Sequence, residues 1–295
     1  MTALNDRITW NAAGLAVFAS ILWGGNSVSI KIGLGGVPPI ALAAARFVLG
    51  GAVVLIWTRA LGVPLRLEAA ERGPLCWLAV IFVIQILTLN IGTYHTLASR
   101  STVFISAHPF FTALFAHLFL TGDRLSGVKI LGMTLSFIGV ALIFSENLFL
   151  GRTEYLAGDI LVLVSAVFLG ARQIYIKHLT QGIHPGRVLL WQAGISVPFF
   201  LLASLALEPV AEIVPTARVV GAVAYQGLVV AGFCFILWTT LLRRFRASRL
   251  GVFSFVTPPF GVILSGILLG EPITPSLVIS MVLVGAGIAV VNYES

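Results

Sequence analysis

Two arginines occupy positions where arginine is costly. Arg46 and Arg172 interrupt otherwise apolar stretches, Pro38–Arg59 and Tyr155–Lys177. An ionised side chain in such a setting marks a substrate path or a specific partner. Its fork of N–H donors matches a carboxylate. Other readings are open: Arg46 could tie helix ends together through backbone carbonyls, and Arg172 could snorkel to the surface near Lys177. Two prolines form a second constellation. Pro109 follows His108 and Pro258 follows Thr257, each pair deep in an apolar run. Proline has no N–H and frees a carbonyl about one turn earlier. In lipid such a carbonyl needs protein or a wet cavity. The prolines are therefore candidate hinges lining a cavity, or packed structural kinks.

Neutral polar groups complete the candidate set. Gln85, Thr88, Gly92 and His95 recur on one helical face, and Ser254, Thr257, Gly261 and Ser265 repeat the idea late in the chain. Small and hydroxyl residues in such helices are often packing glue, but an amide facing lipid is costly. The expected cavity residues are Trp23, Asn26, Gln85, Thr88, Ser106, His108, Phe168, Arg172, Trp238 and Thr257. Aromatic wall, neutral hydrogen-bonding groups and one guanidinium suit a small zwitterion or carboxylate. Asp123, Glu146, Asp159 and Glu271 fall near helix ends, so no carboxylate is expected at mid-depth. That favours facilitated diffusion or exchange over ion coupling, with His108 as a possible proton relay. His95, His108 and His117 lack metalloprotease spacing or a companion acid, so neither metal site, cofactor nor enzyme chemistry is expected. Cys76 and Cys234 stand apart and read as apolar packing residues.

The elements that position these groups are written in the charge pattern. Seven runs of 20 or more residues contain no Asp, Glu, Lys or Arg: Ile8–Ile30, Gly73–Tyr94, Ser101–Thr121, Val188–Leu207, Val219–Leu242, Leu250–Gly270 and Pro272–Tyr293. Each can cross a hydrocarbon core of about 30 Å as a helix. Charged residues are only 10% of the chain, far below the ~25% of soluble domains. With Ile130–Ser145 and the two arginine-bearing stretches, the predicted spans are 10–33, 38–59, 74–97, 100–121, 127–146, 155–178, 187–207, 218–242, 248–270 and 274–293. The first is too long for a signal-peptide core and is expected to be retained. The net charge of +7 sits in short clusters between spans, which excludes nucleic-acid binding and fits basic loops on one side of a membrane. Twelve Lys or Arg fall at one set of loops, including Arg243–Arg249, against Lys31, Arg100, Arg152 and Arg218 at the other. Both termini are therefore expected in the cytoplasm.

The chain also repeats. Gly24–Lys31 lines up with Gly170–Lys177, His108-Pro109-Phe110 with Thr257-Pro258-Pro259, Thr121-Gly122-Asp123 with Leu269-Gly270-Glu271, and Phe137–Ala141 with Gly285–Ala289, at offsets near 148. Two five-helix halves, 1–147 and 148–295, follow, and an odd helix count makes the second inverted. Inverted repeats place a binding site at their interface. Helices in this arrangement can enclose a path within one chain, so no protein partner is required.

Trp23-Gly24, Arg46-Phe47, Tyr94, Ala247-Ser248-Arg249, Phe253–Pro258 and Leu269-Gly270-Glu271 resemble marks of the ten-helix EamA branch of the drug/metabolite transporter superfamily. The first half departs from the pattern at His108 and Asp123. The resemblance implies an all-helical membrane protein in the bacterial inner membrane that exports small metabolites, often amino acids. The nearest expectation is a YddG-like exporter of aromatic amino acids. Organic cations or drugs are the alternative cargo, as is a proton-coupled metabolite antiport.

Overall fold

The computed structural model describes residues 8–120, 126–149, 153–209 and 213–293. Asp123 and Arg152 lie outside them, as does the Thr121–Asp123 repeat match, and the side chain of Glu146 is likewise outside the description. Fourteen α-helices are named along the chain: α1 (Trp10–Gly24), α2 (Asn26–Leu34), α3 (Pro39–Ala60), α4 (Ala69–His95), α5 (Ala98–Ile105), α6 (His108–Phe119), α7 (Gly127–Phe149), α8 (Leu156–Leu179), α9 (Pro185–Leu207), α10 (Ala217–Ala224), α11 (Phe235–Arg244), α12 (Ala247–Gly251), α13 (Thr257–Leu269) and α14 (Pro275–Tyr293). A π-helical stretch, Tyr225–Cys234, joins α10 to α11, and a 3-10 stretch, Val252–Val256, joins α12 to α13.

Seven continuous or nearly continuous helical stretches are long and apolar enough to cross a membrane: Trp10–Leu34, Pro39–Ala60, Ala69–His95, Ala98–Phe119, Thr153–Leu179, Pro185–Leu207 and Ala217–Arg244. Three shorter apolar helices, Ile130–Leu142, Thr257–Leu269 and Pro275–Gly287, fall inside the remaining predicted spans. Large apolar side chains on the outer faces, such as Ile56, Phe119, Leu202 and Ile267, are exposed, as lipid-facing positions require.

Packing joins the first part of the chain to the second. Helix α3 lies against α9 and the π stretch, α4 against α8 and α9, α7 against α14, α6 against α8, and α1 against α13. Two glycines make matching close crossings possible. A Cβ on Gly24 of α1 would stand 2.7 Å from the Phe260 Cβ of α13, and one on Gly170 of α8 would stand 2.7 Å from the Phe111 Cβ of α6. Gly170 follows Gly24 by 146 residues and Phe260 follows Phe111 by 149, so matched positions meet matched positions.

The prolines do not kink continuous helices. Pro109 is the second residue of α6 and Pro258 the second of α13, at helix starts. A proline there clashes with no preceding helical carbonyl, and its missing N–H is one that a first turn leaves unpaired anyway. The helix breaks before each proline. In the first half, Ala107 N–H turns to the Phe104 carbonyl and Phe110 N–H to the Ala107 carbonyl, both at 3.1 Å. The Ser254 carbonyl, which would have accepted from the Pro258 nitrogen, takes the Thr257 N–H in a 3-10 turn instead. A further break divides the first span, where Gly25 N–H bonds the Leu22 carbonyl at 3.2 Å between α1 and α2.

Candidate functional site

The breaks converge on one cavity. It lies between α1, α2, α3, α4, α5, α6, α8, α9, α11, α13 and the 3-10 stretch, with a free volume of ≈ 80 Å³. That is room for several waters, since one needs ~10–15 Å³ by this measure. Of the ten expected cavity residues, Trp23, Asn26, Gln85, Ser106, His108, Arg172, Trp238 and Thr257 line it. Thr88 and Phe168 do not. Thr88 turns its hydroxyl back to the Ile84 carbonyl at 2.8 Å, the ordinary fate of a helical threonine. Phe168 is half-buried one helical step away, and Leu169 takes the cavity position instead. The polar stripe on α4 is divided in the same way. Gln85 faces the cavity, Gly92 packs against the Gly158 carbonyl of α8, and His95 is exposed at the helix end.

One wall is aromatic. The Trp23 and Trp238 rings meet edge to face at 4.9 Å. Their opposite numbers are Phe47, Phe82 and Phe235, with Phe47 and Phe82 centroids 4.6 Å apart and Phe47 and Phe235 6.1 Å apart. The two arginines rest on this second cluster. The Arg172 Cζ lies 5.0 Å from the Phe82 centroid and 4.8 Å from that of Phe235, and the Arg46 Cζ lies 5.0 Å from that of Phe47. Ring faces attract cations by ~0.5–2 kcal/mol each, but they carry no countercharge.

Arg172 therefore does not snorkel: it is 6% exposed, and Arg46 is 2% exposed. Nor does Arg46 tie helix ends together. Nε and Nη1 of both arginines are buried without a hydrogen-bond partner. No carboxylate lines the cavity among the described residues. The nearby described acids are engaged elsewhere: Asp159 with Arg100, Glu71 with Arg187, Glu208 with the Ile40 and Ala41 amides, and Glu271 with the Ala98 and Ser99 amides.

The neutral groups are held by local bonds. Ser165 Oγ donates to the Gln85 carbonyl at 2.7 Å and accepts from Gln85 Nε2 at 3.2 Å, which fixes the amide so that Oε1 is left without a donor. Gln173 Nε2 donates to His108 Nδ1 at 3.3 Å; the ring proton then sits on Nε2. Ser106 donates to the Thr102 carbonyl at 2.7 Å and Thr257 to the Ser20 carbonyl at 3.1 Å. Asn26 Oδ1, Trp238 Nε1 and Ser254 Oγ are buried without partners. Gln173 was absent from the sequence expectation. Its signal was available, since a buried amide beside Arg172 in an apolar run faces the same constraint as Gln85. The described residues hold no group of three or more His, Cys, Asp or Glu side chains able to bind a metal.

The chain has counterparts among known proteins. The chain is 27% identical over 282 residues to a "Probable amino-acid metabolite efflux pump" of Escherichia coli, covering 93% of this chain and 92% of that one. It is 25% identical over 282 residues to a "Probable terminal-alkyne amino-acid exporter" of Streptantibioticus cattleyicolor, covering 94% and 91%. A crystal structure sharing 21% identity superposes with a TM-score of 0.75 over 96% of this chain and 98% of that one, which shows a shared fold. The model of the EamA-like transporter family matches twice, over residues 10–145 and 156–293, and the chain belongs to that family within the drug/metabolite transporter superfamily.

Proposed function

We propose that this transporter exports small amino-acid metabolites from the bacterial cytoplasm by alternating access around the cavity, as a facilitated carrier or exchanger. One observation carries the reading: Arg46 and Arg172 line the cavity, each with buried guanidinium N–H donors that have no partner, and no acidic residue lines it among the described residues. A substrate carboxylate would satisfy them in a bidentate fork. The apolar side chain would lie along Trp23 and Trp238, with Asn26, Gln85, Ser106, His108 and Thr257 as neutral polar contacts. The names of the relatives support amino acids as the class. Aromatic side chains suit the ring-lined wall. An organic cation is disfavoured, because it would enter the field of Arg46 and Arg172 with no counter-anion. Pro109 and Pro258 serve as gating points, since each begins a half-helix that can swing without breaking a proline N–H bond. The cavity is built within one chain, so a monomer suffices.

Counterflow in proteoliposomes tests this. The panel is amino acids, their acyl and amide derivatives, and quaternary amines, with and without a pH gradient. Saturable exchange of carboxylate-bearing compounds with apolar side chains is expected, and a pH gradient should change the rate less than about twofold, because no cavity acid couples to protons. Flux confined to the quaternary amines would overturn the reading.

A further inference from the structure

The unmet groups in the cavity describe a more particular cargo than a free amino acid. This step rests on the cavity being the substrate site. The inventory has three parts. The first is cationic: Nε and Nη1 of Arg46 and of Arg172 lack partners, and arginine stays protonated in proteins. The second is a neutral donor, Trp238 Nε1. The third is a pair of neutral acceptors, Asn26 Oδ1 and Gln85 Oε1. The Gln85 assignment is firm, because Ser165 commits its hydroxyl proton to a carbonyl and can only accept from the amide nitrogen.

A free amino acid fits part of this inventory. Its carboxylate answers the guanidinium groups. Its ammonium brings three donors and a positive charge into a site that already carries two positive charges and no negative one among the described residues. Beyond the carboxylate that the guanidinium groups claim, it has no second acceptor for the tryptophan N–H. Buried polar groups left unpaired cost affinity, and specificity arises from such mismatches.

We infer that the site selects amino-acid derivatives whose nitrogen is uncharged, N-acyl amino acids being the type, over the free zwitterions. Such a monoanion answers each of the three parts of the inventory. Its carboxylate takes the guanidinium N–H groups, its amide N–H supplies the donor that Asn26 or Gln85 lacks, and its acyl carbonyl accepts from Trp238. Its side chain and acyl methyl occupy the apolar wall. The reaction class that supplies this cargo is acyl transfer to an amino nitrogen.

The test is competition in counterflow by three compounds with one side chain: phenylalanine, N-acetylphenylalanine and phenylalaninamide. They carry net charges of zero, minus one and plus one. N-acetylphenylalanine is expected to compete at a concentration roughly tenfold or more below phenylalanine, and phenylalaninamide not to compete. Arg172→Gln should bring the first two together, whereas Arg172→Lys should keep them apart; the readout is the ratio, which a general loss of activity does not move. Phenylalanine competing as well as or better than its acetyl derivative, with flux intact, overturns this inference and leaves the exporter reading standing. If none of the three competes, both fall.

Discussion

Charged side chains within the bundle fall into two kinds, and the difference decides which are structural. Lys31 Nζ donates to the carbonyls of Thr93, Tyr94 and Thr96 at 3.0, 3.0 and 2.5 Å, closing the C-terminal end of α4. Lys177 does the same for α11 and the turn beyond, reaching Leu242 at 3.1 Å and Phe245 at 2.8 Å. The two are 146 residues apart, so one solution is used twice. Asp159 is fully buried and holds Arg100 at 2.5 Å, with Thr96 donating at 2.6 Å. The sequence put Asp159 and Arg100 each near a helix end and did not pair them, because position along a span says nothing about what lies beside it. Arg46 and Arg172 remain unpaired, which was legible only as their presence in apolar runs. These roles predict opposite behaviour. Asp159→Ala should destabilise the detergent-solubilised protein by about 3–5 kcal/mol, because it leaves a buried guanidinium without its partner. Adding Arg100→Ala should restore part of that loss, with a coupling of about 0.5–3 kcal/mol in a thermal-unfolding cycle. Additive losses would show that the pair is not a unit.

At the scale of elements, apolar runs placed most spans to within a few residues. The prediction 38–59 became Pro39–Ala60, and 187–207 became Pro185–Leu207. What was not legible is where spans break. Neither the division at Gly25 nor the π stretch at Tyr225–Cys234 has a local signal, because tertiary fit decides both. Gly24 must come against α13, and the Tyr225 hydroxyl donates to the Leu22 carbonyl at the break. The proline positions were legible, but their effect was misplaced. A proline between two half-helices can begin the second one, which is less costly than bending a continuous helix. The crossing itself is open to test. A Cβ on Gly261 would lie 2.3 Å from Thr102 Cγ2 and 2.8 Å from the Gly24 carbonyl oxygen. Backbone cannot retreat as a side chain can, so Gly261→Ala should lower stability by about 1–3 kcal/mol. Gly14 on α1 has nothing within 4 Å, and Gly14→Ala should be neutral or raise stability by about 0.5–1 kcal/mol through helix propensity. Equal effects from the two substitutions in the same unfolding assay would remove the crossing as the reason for glycine.

At the scale of the whole molecule, the helix ends sort into two sets by what they touch. In one set, Arg187 pairs with Glu71, Trp191 Nε1 donates to the Leu65 carbonyl at 3.0 Å, and Gln181 reaches the Arg243 carbonyl at 3.3 Å. In the other, Val214 N–H donates to the Gly36 carbonyl at 2.8 Å, Glu208 holds the start of α3, and Glu271 holds the start of α5. Consecutive spans run from one set to the other. The first set carries most of the basic loop residues. Setting aside the buried cations removes Lys177 from that side and Arg100 from the opposite one, so the asymmetry stands. Basic loops are retained on the cytoplasmic face; we therefore propose that the first set faces inward. Pro64 and Pro215 are exposed, one in each set, and Cys76 and Cys234 are the only native thiols to remove. In a Cys76→Ala, Cys234→Ala background, Pro215→Cys should react with a membrane-impermeant maleimide in intact cells. Pro64→Cys should react only after the membrane is opened. The reverse pattern would turn the molecule over, with the cavity and its two arginines unchanged.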